Sequence, residues 1–307
     1  MKKTDDGNND VIFETGSNSA ILPQDLTIRS LIEAQADKLP GHTAIAASGK
    51  KPLTYRDLHR QIEYVTDTLH ALGLGRNDRI ALVLPNGSDM AVAFIAINAC
   101  AVSAPLNPAY RAEEFDFYLA DLNVKALLIQ AGSDSVAIAV SQKRGIAVIE
   151  LSPGTVAGAF KLSGAALDRK PEMAFPQSGD TALLLHTSGT TSRPKLVPLS
   201  QGNLCVSALS IAHTLALTHN DSCLNIMPLF HIHGLLGALM SSLASGGSVI
   251  CAPDFNASQF FSWIKAGNPT WYSAVPTLHQ AILVRAQENR EIIARHPLRL
   301  IRSSSAA

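Results

Sequence analysis

A chain of 307 residues, 47% hydrophobic and 16% charged, is long enough to bury a sizeable core and too apolar to be disordered. Lysine plus arginine equals aspartate plus glutamate at 25 each, with no basic run, which argues against a nucleic-acid partner. Cys100, Cys205, Cys223 and Cys251 stand singly, which argues against a zinc knuckle or disulfide framework and points to a reducing, cytoplasmic setting.

Residues 1–20 are polar and rich in Asn, Asp, Gly and Ser; they read as a disordered leader, without the apolar stretch of a secretory signal. Ile28, Leu31, Ile32 and Ala36 recur at helical spacing from Thr27 and stop at Pro40. Thr54, with Asp57 three residues on, predicts an N-cap for a helix to Leu72 that buries Leu58, Ile62, Val65 and Leu69 and ends at Gly73 and Gly75. Strands are predicted at Ile80–Leu84, Val124–Ile129 and Ala147–Leu151, and a helix at Asp89–Ala99. Their continuous apolar runs suit parallel strands covered on both faces. Glu113, Glu114, Asp116 and Asp121 mark a solvated helix face. The apolar stretches 90–106 and 234–251 are short for a membrane span and read as buried helices. Residues 152–180, with several Gly, Pro and Ser, read as a connection between parts of about 21–165 and 180–307.

Further strands follow at Ala182–Leu185, Cys223–Met227, Ser248–Ala252, Thr270–Val275 and Arg299–Arg302. Helices are predicted from a Ser200 cap to Leu217, at Gly234–Leu243, at Ala257–Lys265, and onward from Pro276, a residue well suited to a first turn. The alternation predicts an α/β fold with mostly parallel sheets. The last strand is expected to leave an uncovered sheet edge.

Between His186 and the next apolar run, Thr187, Ser188, Thr190, Thr191 and Ser192 place hydroxyls around Gly189, and Lys195 closes the loop. Backbone and hydroxyl donors with one ammonium suit a polyphosphate. The plain alternative is a hydroxyl-rich surface turn. Walker A spacing is absent. In parallel sheets ligands gather at the carboxyl ends of strands, and this loop, His231, Ser273–Pro276 and Ser303–Ser305 all fall there. His231 and His233 have a spacing that permits metal ligation, but no Cys or acidic cluster accompanies them, so no metal site is expected. His233 reads as structural and Trp271 and Tyr272 as core or pocket wall, while for His279 packing or a cap and a functional role are equally open.

HTSGTTSRPKLVPLSQGNL at 186–204 resembles the signature of the adenylate-forming (AMP-binding) enzymes, which include the acyl-CoA synthetases. Thr187, Ser188, Gly189, Thr190, Thr191, Pro194 and Lys195 match. Ser192 stands where most members carry glycine, yet Ser192-Arg193-Pro194-Lys195 is similar to the oxalate–CoA ligase branch of plants and fungi. Pro228–His231 with Gly234, Trp271–Thr277, Arg299–Ala306, Thr54–Leu58 and Pro105–Pro108 resemble other family segments, so the likeness runs from about Leu26 to the end.

This resemblance implies an ATP-dependent ligase that joins a carboxylate to AMP and passes the acyl group to CoA, with Mg²⁺. Thr187, Ser188, Gly189, Thr190, Thr191 and Lys195 would hold the β- and γ-phosphates, and His231 would act between the ATP and acyl pockets. Ser273, Val275, Pro276, Ser303, Ser304 and Ser305 would line the acyl site, where His231 and the Ser303–Ser305 turn would receive the second carboxylate of a diacid. Family members continue with a Mg²⁺-binding glutamate, a ribose-binding aspartate and a C-terminal lid domain carrying a lysine. The chain to Ala307 therefore resembles an incomplete N-terminal domain of such an enzyme, expected to be inactive alone. A non-catalytic nucleotide- or acyl-binding protein is the alternative.

Overall fold

Hydroxyl side chains of Thr27, Thr54, Ser135 and Ser200 cap four helices among the described residues. In the computed structural model, which describes residues 11–13, 20–22, 26–187 and 194–305, the N–H groups of Ser30, Asp57 and Asn203 donate to Thr27, Thr54 and Ser200 at 3.1, 3.2 and 3.1 Å. Each contact satisfies one of the donors a helix start leaves open.

In chain order, β1 (Val11–Phe13) and β2 (Ala20–Leu22) form an antiparallel pair within and beside the expected leader. The rest of residues 1–20 lies outside the described residues. Then come α1 (Ile28–Lys38), β3 (Thr43–Ala46), β4 (Leu53–Thr54), α2 (Tyr55–Ala71), β5 (Arg79–Val83), α3 (Ser88–Asn98) and β6 (Val102–Pro105). They are followed by α4 (Ala112–Asp121), β7 (Ala126–Gln130), α5 (Val136–Lys143), β8 (Ala147–Pro153), β9 (Phe160–Gly164), β10 (Thr181–Thr187) and β11 (Lys195–Ser200). Next are α6 (Gln201–Thr214), β12 (Ser222–Asn225), a π-helix (His233–Met240) that runs into α7 (Ser241–Ala244), β13 (Ser248–Cys251) and α8 (Phe260–Gly267). The described chain closes with β14 (Trp271–Ala274), α9 (Pro276–Ala286), a 3₁₀ turn (Gln287–Asn289), α10 (Arg290–Arg295) and β15 (Leu300–Ser303).

The strands form two larger sheets, mostly parallel, as the alternating pattern predicted. One has the order β11-β10-β6-β5-β7-β8-β9, the other β15-β14-β12-β13-β3-β4. Only β10–β11, β8–β9 and β3–β4 are antiparallel within them, all at edges. The sheets do not follow the two halves of the chain: early β3 and β4 join the second, and late β10 and β11 join the first.

Strand alternation explains the layering. Ile80 and Leu82 of β5 enter one apolar cluster, Ala81 and Val83 another, because successive side chains point to opposite faces. The first cluster joins α1, α2, α3, α6 and the π-helix to both sheets, through Leu128 on one side and Cys223 and Trp271 on the other. Phe115 and Leu119 of α4 cover the outer face of the first sheet, with Ala137 and Val140 of α5. Phe260 and Ile264 of α8 cover that of the second, with Ile282 of α9. β15 is an edge strand, with Ile301 exposed.

Three expectations need correction. The stretch 90–106 is helix only to Asn98; Val102–Pro105 is a strand, taken up between β5 and β10. Likewise 234–251 turns at Gly246, where φ is +78°, and finishes in β13. Residues 152–180 are not all connection, since β8 runs on to Pro153 and β9 pairs back on it. No helix among the described residues is long and apolar enough to cross a membrane.

Removing the Thr54 cap by Thr54→Ala is expected to lower stability by about 1 kcal/mol, and Thr54→Ser to restore most of it. Urea denaturation measures this; an Ala variant with an unchanged midpoint would refute the cap's role.

Candidate functional site

β10 does not stop at His186 but continues to Thr187, and its pairing with β11 runs from Thr181 opposite Ser200 to Thr187 opposite Lys195. The strands on either side of the hydroxyl-rich segment are therefore an antiparallel hairpin pair, with exposed Thr187 and Lys195 opposite each other at its mouth. Ser188, Gly189, Thr190, Thr191, Ser192 and Arg193 lie outside the described residues. His186, just before the mouth, is anchored on α4: its Nε2 lies 2.8 Å from Asp121 Oδ2, and its ring meets Tyr118 edge-on at 4.7 Å.

The acidic face of α4 is thus more than solvated surface. Asp116 pairs with Arg144 at 2.7 Å, and Glu114 accepts the Arg111 N–H at 2.8 Å. Sequence spacing had no access to these partners, because Asp121 and His186 are 65 positions apart.

The second sheet carries the other group. Asn225, at the end of β12, shapes the 226–234 turn: its Oδ1 accepts from Met227 N–H at 3.2 Å and its Nδ2 donates to Gly234 O at 3.0 Å. Leu229 N–H donates to Asn86 Oδ1 at 2.9 Å. Gly234 is required by space, since a Cβ there would stand 2.5 Å from Pro228 O. His231 projects from this turn, exposed, its ring 4.5 Å from that of Phe230. Partial desolvation lowers its pKa from the usual 6.5, so the neutral ring prevails at neutral pH.

His233, at the start of the π-helix, is buried, with Nε2 2.7 Å from Ser273 Oγ. Burial, followed by the charges of Arg302 and His279, lowers its pKa to about 4. Its Nδ1 is buried with no partner among the described residues. His279 on α9 bridges Tyr272 OH at 3.1 Å and Arg302 O at 3.2 Å. A carbonyl only accepts, so Nε2 carries the proton and Nδ1 takes the one donated by Tyr272. Burial raises the Tyr272 pKa to about 12, which keeps that hydroxyl protonated.

Ser273 is the buried partner of His233, while Val275 is the N-cap of α9 and Pro276 its first residue. Ser303 pairs with Ala274, Ser304 N–H donates to Ala274 O at 3.2 Å, and Ser305 has a left-handed φ of +59°. The structure thus gathers Ser273, Val275, Pro276, Ser303 and Ser304 at the carboxyl ends of β14 and β15. Thr187 and Lys195 belong to the other sheet, and no hydrogen bond among the described residues joins the two groups.

Sequence reasoning missed Arg302, Tyr272 as a polar partner, and Asn86 with Asn225. A basic residue inside an otherwise apolar strand was the available signal for Arg302. Two adjoining cavities of about 330 and 600 Å³, which share Lys50, Cys251 and Trp263, contain none of the expected site residues. Glu33, His59 and Glu63 bring possible metal ligands within 4.8 Å of one another, but Arg29 already lies 2.8 Å from Glu33 and 2.6 Å from Glu63. At the hairpin mouth the described donors are a hydroxyl and an ammonium, which fit phosphate oxygens. Neither residue is a carboxylate that would ligate Mg²⁺.

A parallel two-sheet α/β domain with a hydroxyl-rich hairpin defines a class, and the chain belongs to it: residues 32–307 match the AMP-binding enzyme family. Among curated relatives, the chain is 42% identical over 289 residues to an oxalate–CoA ligase of Arabidopsis thaliana, covering 92% of this chain and 56% of the relative. It is 40% identical over 295 residues to a probable CoA ligase, CCL9, of Humulus lupulus, covering 93% and 56%. ATP-bound MatB from Rhodopseudomonas palustris superposes with a TM-score of 0.74 at 27% identity, covering 92% of this chain and 55% of that one. The chain spans about half the length of the relatives it matches.

The His233 pKa yields a signed expectation. Between 6.5 and about 4 the unfolded chain takes up a proton there that the folded chain does not. This contribution is nil above pH 6.5 and destabilises progressively as pH falls towards 4. The denaturation midpoint should drop from pH 7 to pH 5, and by less in His233→Gln; an equal drop in both would refute the assignment.

Proposed function

We propose that this chain supplies the ATP- and acyl-binding part of an acid–thiol ligase, an acyl-CoA synthetase acting in the cytoplasm. A carboxylate is a poor acyl donor because oxide is a poor leaving group. Its oxygen attacks the α-phosphorus of ATP and pyrophosphate leaves; the thiol of CoA then attacks the acyl carbon of the acyl-AMP, and AMP leaves as the thioester forms. Such chemistry depends on positioning and on donors aimed at the phosphates.

Thr187, Ser188, Gly189, Thr190, Thr191 and Lys195 hold the β- and γ-phosphates in this reading. His231, neutral at working pH, hydrogen-bonds at the boundary between nucleotide and acid without adding charge. Ser273, Val275, Pro276 and the Ser303–Ser305 turn line the acid's pocket. Mg²⁺ arrives with the nucleotide. The observation that supports this reading best is Thr187 opposite Lys195 at the mouth of the hairpin, an ammonium at the edge of a hydroxyl-rich turn. Oxalate is the favoured acid, following the name of the plant relative.

The test is calorimetry with ATP and Mg²⁺. Lys195→Ala removes a charge-assisted hydrogen bond worth about 1.5–3 kcal/mol and is expected to weaken binding about tenfold or more. Unchanged affinity in a folded variant would overturn the phosphate role.

A further inference from the structure

Arg302 is a cation for which the ligase reading has so far had no use. It stands on β15, half-buried, and desolvation lowers its pKa. Its Nη1 donates to Gly237 O at 3.1 Å, and its Nη2 reaches Ser304 Oγ only at 3.5 Å. A guanidinium has five N–H donors, so most of its capacity is left over. Arg29, Arg76, Arg144, Arg169 and Arg299 each hold a carboxylate within 2.8 Å or less. Arg302 has none among the described residues. A half-buried charge without a counter-ion is costly to fold around, and an incoming anion offsets that cost.

Its surroundings point the same way. Gly237 puts no side chain between Arg302 and His233: a Cβ there would lie 3.0 Å from Arg302 Nη1 and 3.2 Å from His233 Cδ2. The imidazole beside the guanidinium is buried, and its Nδ1 is unpartnered among the described residues. Ser304 adds a hydroxyl, and Ser273 another through His233. The cluster is built of donors and neutral groups around one cation, with no acid among them.

We propose that Arg302 is the specificity-determining residue of the acid pocket, receiving the second carboxylate of a short dicarboxylate substrate, with Ser304 beside it. This rests on the ligase reading and moves the second carboxylate from His231 and the serine turn to the guanidinium, whose planar fork matches a carboxylate with paired hydrogen bonds. Discrimination works by rejection as well as attraction. A monocarboxylate whose apolar end abuts Arg302 leaves the charge desolvated and unpaired, whereas a diacid neutralises it.

The experiment is calorimetry on the 307-residue chain with oxalate, malonate, acetate and propionate, each with and without ATP. Wild type is compared with Arg302→Gln and Arg302→Lys, whose folding is checked by circular dichroism. The wild type is expected to bind a diacid about tenfold or more tightly than a monoacid, as one charge-assisted pair allows. Arg302→Gln should lose that preference while keeping its ATP affinity, and Arg302→Lys, with the charge but not the fork, should retain part of it. No diacid preference in the wild type, or full preference in either folded variant, overturns the proposal. ATP binding without diacid preference defeats this inference alone. Diacid preference that depends on Arg302, without ATP binding, supports the receptor and defeats the ligase reading instead.

Discussion

A helix that is apolar on every side must be enclosed, and α3 imposes that condition on the rest of the fold. Met90 to Asn98 are all buried, and only Asp89 in the first turn is partly exposed, where it pairs with Lys50. Two sheets and their accompanying helices meet the requirement by enclosing it in one continuous cluster. Most polar groups of this arrangement find partners inside it, although Asn98 Oδ1 is buried with none among the described residues. Asn98 Nδ2 donates to Phe94 O and Ser103 Oγ, while Gln201 Nε2 donates to Asn98 O and Gln201 Oε1 accepts the Ile28 N–H. One buried glutamine thus holds α1, α3 and α6 together. In a low-dielectric interior such a network is costly to leave incomplete, so it fixes the packing as well as tolerating it.

That rigidity is divided unequally over the candidate site. The groups on the second sheet are tied into one another: Ser273 to His233, Tyr272 through His279 to the Arg302 carbonyl, Asn225 to both limbs of its turn. Each side chain has its tautomer or rotamer decided by a neighbour. The hairpin on the first sheet is anchored at its base instead, by His186 on Asp121 and by the strand pairing itself.

Much of this was legible from local pattern. The cap and buried stripe of α2 need only neighbouring residues, and both appear as expected, with Leu58, Ile62, Val65 and Leu69 buried. The central strands announced themselves as continuous apolar runs because both of their faces are covered. The edge strand β9 did not, for the opposite reason: Phe160 and Leu162 are buried but Lys161 and Ser163 are exposed, and the flanking glycines resemble a linker. Asp121 and His186, or Arg302 and Gly237, meet only after the sheets assemble, so no spacing along the chain reveals them. Arg302 was inside a segment already singled out, yet its want of a counter-ion is a property of its neighbours in space.

The π-helix from His233 to Met240 has a consequence for how this pocket can vary. Its hydrogen bonds close wider turns than those of an α-helix, so the segment holds a residue that regular winding would not need. Deleting one residue leaves ends that an α-helix can still join to α7. Because the tighter winding compensates for the lost residue, the two ends of the segment keep their positions while the side chains between them are redistributed. A residue with a side chain could then fall where Gly237 now lies against Arg302 and His233. Length, more than identity, is the currency of change here: relatives that differ by one residue in this stretch would share the architecture and line its pocket with another set of groups.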